Sequence, residues 1–153
     1  MRHRLLTDRQ EMEVIIKKCQ VCHIAMVDKD GLPYVLPFNF GYENNIIYFH
    51  SARKGKKIDI LIQNPNVCVE FSTDYLLRFQ NEKVGCSYTM NYRSVLAYGK
   101  IKFIEDIGEK TNIINIVMRN YAPGEFKYNP PSMNEVCCWI VHIDRMEGKI
   151  NGY

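Results

Sequence analysis

The stretch Gly31-Leu32-Pro33-Tyr34-Val35-Leu36-Pro37-Phe38-Asn39-Phe40-Gly41-Tyr42 is followed by Glu43-Asn44-Asn45 and then by Ile46-Ile47-Tyr48-Phe49-His50-Ser51. Leu32 to Tyr42 reads as one extended run, the Glu-Asn-Asn triplet as a turn, and Ile46 to Ser51 as the returning strand. Proline takes a donor out of a strand ladder. The segment Leu36-Pro37-Phe38-Asn39 therefore belongs at a sheet edge or bulge, a position that often adjoins a ligand. The Asn39 amide has two readings. It can donate to and accept from a planar heterocycle, or it can cap a neighbouring turn.

The same alternation extends to both sides. Upstream, Val21 to Val27 reads as a strand, and Asp28-Lys29-Asp30-Gly31 supplies turn chemistry. Before it, Thr7 and Gln10 fit a capping box for a helix whose Met12, Ile15, Ile16 and Cys19 recur at helical spacing. Downstream, Ile58, Leu61 and Ile62 mark a short helix that Asn64-Pro65 ends. Val67 to Ser72 and Tyr88 to Ile104 are β-rich, and residues 107–120 place Ile107, Ile114, Val117 and Met118 on one helical face. A loop from Tyr121 to Asn134 leads to a last strand, Val136 to Ile143. Six or seven strands with three helices give a mainly β protein, a closed or nearly closed antiparallel barrel with peripheral helices. A doubly wound sheet would need helices between most strands, and they are missing.

The 153 residues suit one domain spanning 1–153, and 46% hydrophobic with 24% charged residues excludes a disordered or fibrous chain. No apolar run approaches the roughly 20 residues of a membrane span. Met1-Arg2-His3-Arg4-Leu5-Leu6 runs straight into Asp8, Arg9 and Glu11, without an apolar signal core. A cytoplasmic protein with no membrane partner is expected. A net charge of +3 is too weak a bias to predict nucleic acid as a partner. Cysteines at 19, 22, 68, 86, 137 and 138 read as free thiols in a reducing compartment, with Cys68 and Cys86 inside apolar strands.

The chemistry concentrates in His50-Ser51-Ala52-Arg53-Lys54-Gly55-Lys56-Lys57, which runs from a strand end into a helix start. The helix dipole disfavours lysines in a first turn. An anion held there by free N–H groups and side-chain charge would reverse that preference, while a plain solvated basic face is the competing reading. Aromatic residues do not interleave with these cations as a nucleic-acid platform requires. Cys19-x-x-Cys22 with His23 has no second ligand pair, and it ends a helix instead of opening one. Core cysteines, with no metal, are the expectation. His3 reads as part of a mobile terminus, His142 as structural, and His50 as the imidazole beside the anion candidate, able to exchange a proton. No Ser-His-Asp arrangement, P-loop or G-x-G-x-x-G is present.

Five stretches taken together resemble one known pattern. They are Cys22-His23-Ile24-Ala25-Met26-Val27; Gly31 to Tyr42; Ile47-Tyr48-Phe49-His50-Ser51-Ala52 with Gly55-Lys56-Lys57; Asn64-Pro65-x-Val67-Cys68; and Tyr92-Arg93-Ser94-Val95-Leu96-Ala97-Tyr98-Gly99. The chain resembles the FMN-binding split-barrel superfamily of pyridoxamine 5′-phosphate oxidase, and within it the nitroimidazole-resistance branch, from about residue 8 to residue 150. The resemblance implies a six-stranded antiparallel split β-barrel, FMN as cofactor, and a homodimer with FMN at the subunit interface. By similarity Leu36, Pro37, Phe38 and Asn39 lie along the isoalloxazine ring, and His50 and Ser51 follow on the strand beside it. Lys56 and Lys57 hold the phosphate, Ser94 and Val95 belong to a strand near the ring, and Trp139 comes from the partner subunit. Met146-Glu147-Gly148-Lys149 departs from the family's Thr before Gly-Lys and reads as a surface turn. Vitamin B6 oxidation is not expected, because the match to pyridoxamine 5′-phosphate oxidase itself is poor: that enzyme's substrate-phosphate arginine and histidine lie in a C-terminal extension, and this chain stops at Tyr153. The implied activity is an FMN-dependent oxidoreductase passing electrons from a reduced nicotinamide or other donor to a small acceptor, a nitroimidazole or nitroaromatic, with His50 as the catalytic group. The rival readings are a non-catalytic flavin sensor and a haem- or deazaflavin-binding split barrel.

Overall fold

Strict apolar alternation gives each strand one face to bury. The structure, a computed structural model, describes residues 3–153. Strand β1 (His3–Leu6) and helix α1 (Arg9–Lys18) precede β2 (Cys22–Val27), whose Cys22, Ile24 and Met26 are buried while His23 and Val27 are exposed. The turn to β3 (Pro33–Phe38) is held by the Asp28 carboxylate, which accepts from the backbone N–H of Asp30 and of Leu32 at 2.9 Å each. β3 pairs with β2 alone, the edge position its prolines dictate.

The extended run does not continue to Tyr42. It breaks at Asn39, and β4 (Gly41–Glu43) turns away to pair with β5 (Ile46–Ala52). Two contacts cause the break: the Phe40 N–H donates to Tyr121 Oη at 2.9 Å, and the Phe40 carbonyl accepts from Asn120 Nδ2 at 3.2 Å. Asn44 and Asn45, with φ of 50° and 66°, supply the left-handed pair that a tight hairpin needs.

After helix α2 (Lys56–Gln63) come three long strands, β6 (Asn66–Arg78), β7 (Thr89–Ile104) and β8 (Val136–Asn151). The antiparallel order is β3-β2-β6-β7-β8-β5-β4, with β1 also on β8. β3 and β5 share no ladder, yet their side chains meet. Phe38 lies 5.8 Å from Phe49 and 5.5 Å from Trp139, ring centre to ring centre, and Phe49 stacks on Trp139 at 4.4 Å. The sheet thus curls into a barrel left split at this seam. Ile24, Ile47, Val69, Phe71, Val95 and Val141 fill the inside, each contributing about 1.5–3 kcal/mol by leaving water. Helices α3 (Ile107–Arg119) and α4 (Pro130–Glu135) cover the outside of β5 and β8 through Ile113, Ile114, Met133, Cys138 and Ile140.

Several local expectations are corrected. The described residues form eight strands where the sequence suggests six or seven, because β1 and β4 are too short to leave a pattern. Asp8, not Thr7, caps α1, its carboxylate accepting from the Gln10 N–H at 2.9 Å. Ile62 and Ile107 are exposed, and Ile60 and Ile113 take the buried positions. His3 sits in β1, paired with Asn151. The loop after α3 contains α4, and β8 runs on to Asn151. Met146 to Lys149 is therefore strand, and a Cβ on Gly148 would come within 2.8 Å of Leu6 and Met12. Cys86 is exposed on a 3₁₀ turn and Cys68 half-buried, so neither is the core thiol expected. Met1 and Arg2, part of the stretch read as lacking a signal core, lie outside the described residues.

The β7–β8 ladder shifts register between Tyr98 and Gly99, where an added Cβ would overlap the backbone carbonyl of His142. Gly99→Ala is expected to cost about 1–3 kcal/mol, the usual range for overpacking. Gly85→Ala, with nothing within 4 Å, serves as the neutral control. Equal urea midpoints for the two variants would mean that the bulge relaxes freely.

Candidate functional site

β5 ends at Ala52, and the chain turns through Arg53, Lys54 and Gly55 into α2. Gly55 occupies the N-cap with φ 122°, a left-handed conformation, and supplies no side-chain cap. Its carbonyl accepts from Ile58 and Asp59 at 2.9 and 3.3 Å. The N–H groups of Lys56 and Lys57, first in the helix, have no intrahelical acceptor. Neither lysine has an ion-pair partner among the described residues, and each opposes the helix dipole by about 0.3–1 kcal/mol. Two free amides and two ammonium groups without an ion-pair partner on one turn are the donor set that an anion would need. Lys56 Nζ also sits 4.7 Å above the Tyr34 ring of β3, so the turn touches both lips of the seam.

The basic cluster divides in two. Arg53 donates to the Asn134 carbonyl at 2.7 Å and to Glu105 at 3.1 Å, so it is engaged with α4 and the β7–α3 turn. Along β3 and just beyond its end, Leu36 and Phe38 are half-buried toward the core, while Pro37 and Asn39 are exposed. His50 lies opposite Cys138 and Ser51 opposite Cys137. Directly opposed residues share a face, so His50 points toward the α3–α4 side and Ser51 toward the barrel side. His50 Nδ1 is buried without a partner, and burial holds the imidazole below its ordinary value of 6.5.

Val95 and Trp139 are fully buried. Trp139 stacks on Phe49 inside its own barrel, with Nε1 buried and unpartnered. Ser94 lies on the opposite side of the sheet, in an open cleft of about 520 Å³ with Ser72, Tyr75, Tyr92 and Lys149. It pairs with Lys149, eleven residues along β8 from the Cys138 that faces His50, roughly 36 Å of strand at 3.3 Å per residue. The chain therefore brings β3, β5 and the α2 turn together, while Ser94 faces a separate cleft.

Cys22 points into the core and His23 outward, where it meets Glu70 at 3.1 Å, so the two do not converge. Burial pushes the Cys19 thiol up to about 11 and raises Cys22 further, which makes both inert. Sequence reasoning missed Tyr34 beneath Lys56, the engagement of Arg53, and Lys110, only 2% exposed. Lys110 did leave a signal, because it stands three, four and seven residues before Ile113, Ile114 and Val117 on the buried stripe of α3.

A family model described as pyridoxamine 5′-phosphate oxidase matches residues 8–150. No curated protein matches the chain. Among solved structures, the chain is similar to a protein of Bacteroides thetaiotaomicron proposed for 5-nitroimidazole antibiotic resistance. That match has 40% identity, 97% of this chain and 87% of that one covered, and a TM-score of 0.88. Two further likenesses rest on fold alone. A flavocytochrome of Azotobacter vinelandii has 18% identity, 97% and 70% coverage and TM-score 0.84. An FAD- and haem-binding protein of Mycobacterium smegmatis has 16% identity, 97% and 74% coverage and TM-score 0.84.

The orphaned His50 nitrogen carries a pH consequence. A base whose folded pKa is depressed favours the neutral form, so its contribution is complete above the unfolded value of about 6.5 and is lost as pH falls below it. Urea midpoints at pH 8 and pH 5.5 should differ less in His50→Gln than in the native protein. An equal difference would show that the imidazole is as well solvated folded as unfolded.

Proposed function

This chain belongs to the pyridoxamine 5′-phosphate oxidase family, and from that premise we propose that it is an FMN-binding oxidoreductase of small acceptors, nitroimidazoles or nitroaromatics among them. The observation that carries the reading is the uncapped first turn of α2, where Lys56, Lys57 and two free amides answer a terminal phosphate. The donor set fits FMN: cations and N–H groups for the phosphate, and an exposed edge at Pro37 and Asn39 for a planar ring. The 40% identity to a protein proposed for nitroimidazole resistance supports the acceptor class.

When bound, the flavin supplies hydride and electron exchange with a reduced nicotinamide or other donor. The chain's residues bind and orient. Lys56 and Lys57 fix the phosphate end, and Leu36, Phe38 and the buried Trp139 stiffen the seam behind the ring edge. His50, neutral near pH 7, is the group we assign to proton exchange with the acceptor. Ser94 faces a cleft lined by no residue of β3, β5 or the α2 turn, which supports a homodimer in which the Ser94 strand of one copy meets the seam of the other. No described helix is long and apolar enough to cross a membrane. The six free thiols favour the reducing cytoplasm as the working compartment.

The first test is the absorption spectrum of the purified protein and the identity of the released chromophore. FMN supports the reading, FAD moves the phosphate contact to an inner position, and haem or no uptake of added FMN overturns it. Lys56→Ala with Lys57→Ala should weaken FMN by at least about 1.5–3 kcal/mol, the range for one charge-assisted hydrogen bond, while riboflavin affinity stays unchanged. Separately, His50→Ala should lower turnover of a nitro acceptor at unaltered flavin content. Unchanged turnover would remove His50 from the mechanism.

A further inference from the structure

Lys110 is the buried ammonium that the function above leaves unused. Its side chain is 3% exposed, its Nζ donates to the Val136 carbonyl at 3.1 Å, and Glu105 lies 3.5 Å away. Burying an ammonium is costly, so this placement has to be held by the groups around it. Val136 is the residue at which three elements join: it ends α4, begins β8 and pairs with Ala52, the last residue of β5. Arg53, the next residue after Ala52, reaches the same Glu105 at 3.1 Å and the Asn134 carbonyl at 2.7 Å. The carboxylate thus lies between two cations that each grip a carbonyl at the α4–β8 junction.

We propose that Lys110, Glu105 and Arg53 are positioning residues for the anion-binding turn, fixing the exit of β5 so that Gly55, Lys56 and Lys57 present their donors to a phosphate. Arg53 is then a fastener of the turn and not an anion ligand. The inference rests on the phosphate reading of that turn. Nothing in it requires Lys110 to touch the ligand.

Charge alone and positioning make opposite forecasts at Glu105. Removing a carboxylate near an anion site strengthens anion binding if only the field matters. If the carboxylate holds the turn, removing it weakens binding. Binding of FMN and of riboflavin by the flavin-stripped full-length protein separates the two, with melting temperature recorded alongside.

The expected result for Glu105→Gln is FMN affinity lower by about tenfold, with riboflavin within about twofold, the loss of one charge-assisted contact. Lys110→Met should move the same ratio in the same direction, and Lys110→Arg should restore part of it. Glu105 is 66% exposed, so its substitution tests the proposal even where Lys110→Met fails to fold. Tighter FMN binding in Glu105→Gln, or equal losses of FMN and riboflavin, overturns the proposal. A native protein that binds riboflavin as tightly as FMN overturns instead the phosphate reading beneath it.

Discussion

The constraint on which the molecule depends is the missing ladder between β3 and β5. Pro33 and Pro37 deprive the outer edge of β3 of N–H donors, so β5 cannot complete the sheet there. The barrel closes by side chains instead, with Phe38 reaching across to Phe49 and Trp139. Edge-to-face aromatic contacts hold the lips together without tying up the backbone of β3. That leaves one strand edge open beside the turn into α2, which is where a planar ligand with an anionic tail can lie.

The second constraint is electrostatic. An uncapped helix start beginning with two lysines is locally unfavourable in an empty protein, by the dipole and by mutual repulsion of the cations. Lys56 relieves part of this over the Tyr34 ring, while Arg53 is drawn off to Glu105 and Asn134. Local sequence choices that contradict helix preference are expected where function or strain, and not local folding preference, sets the residue.

Much of this was legible in the sequence. Alternation in Cys22 to Val27 and Ile46 to Ser51, proline in Leu32 to Tyr42 and the cation run gave the barrel class, the edge strand and the anion candidate. The misses have physical causes. The run to Tyr42 breaks because Tyr121 and Asn120, some eighty residues away, capture the Phe40 backbone, and no local pattern records that. Residues 146–149 read as a surface turn only by comparison with the family's Thr-Gly-Lys, whereas Gly148 lies within a strand, crowded by Leu6 and Met12.

Charged clusters in this fold act on geometry more than on stability. Exposed ion pairs contribute about 0–1 kcal/mol each, against about 1.5–3 kcal/mol for a single buried Ile or Phe. Two three-charge clusters nevertheless sit where a strand loses its register or hands over to another element. Asp74, in left-handed conformation at the β6 irregularity, is held by Arg93 at 2.6 Å and Lys18 at 3.1 Å, and Arg93 keeps its carboxylate below the ordinary range. Glu105 occupies the corresponding place beyond the other end of β7, between Arg53 and Lys110. A ladder fixes its own direction along its length, but where it stops or slips the backbone has several near-equal continuations. A carboxylate gripped from two sides selects one of them. At Asp74 the carboxylate ties the end of α1, through Lys18, to β7, through Arg93. At Glu105 the carboxylate ties the start of α3, through Lys110, to the chain leaving β5, through Arg53.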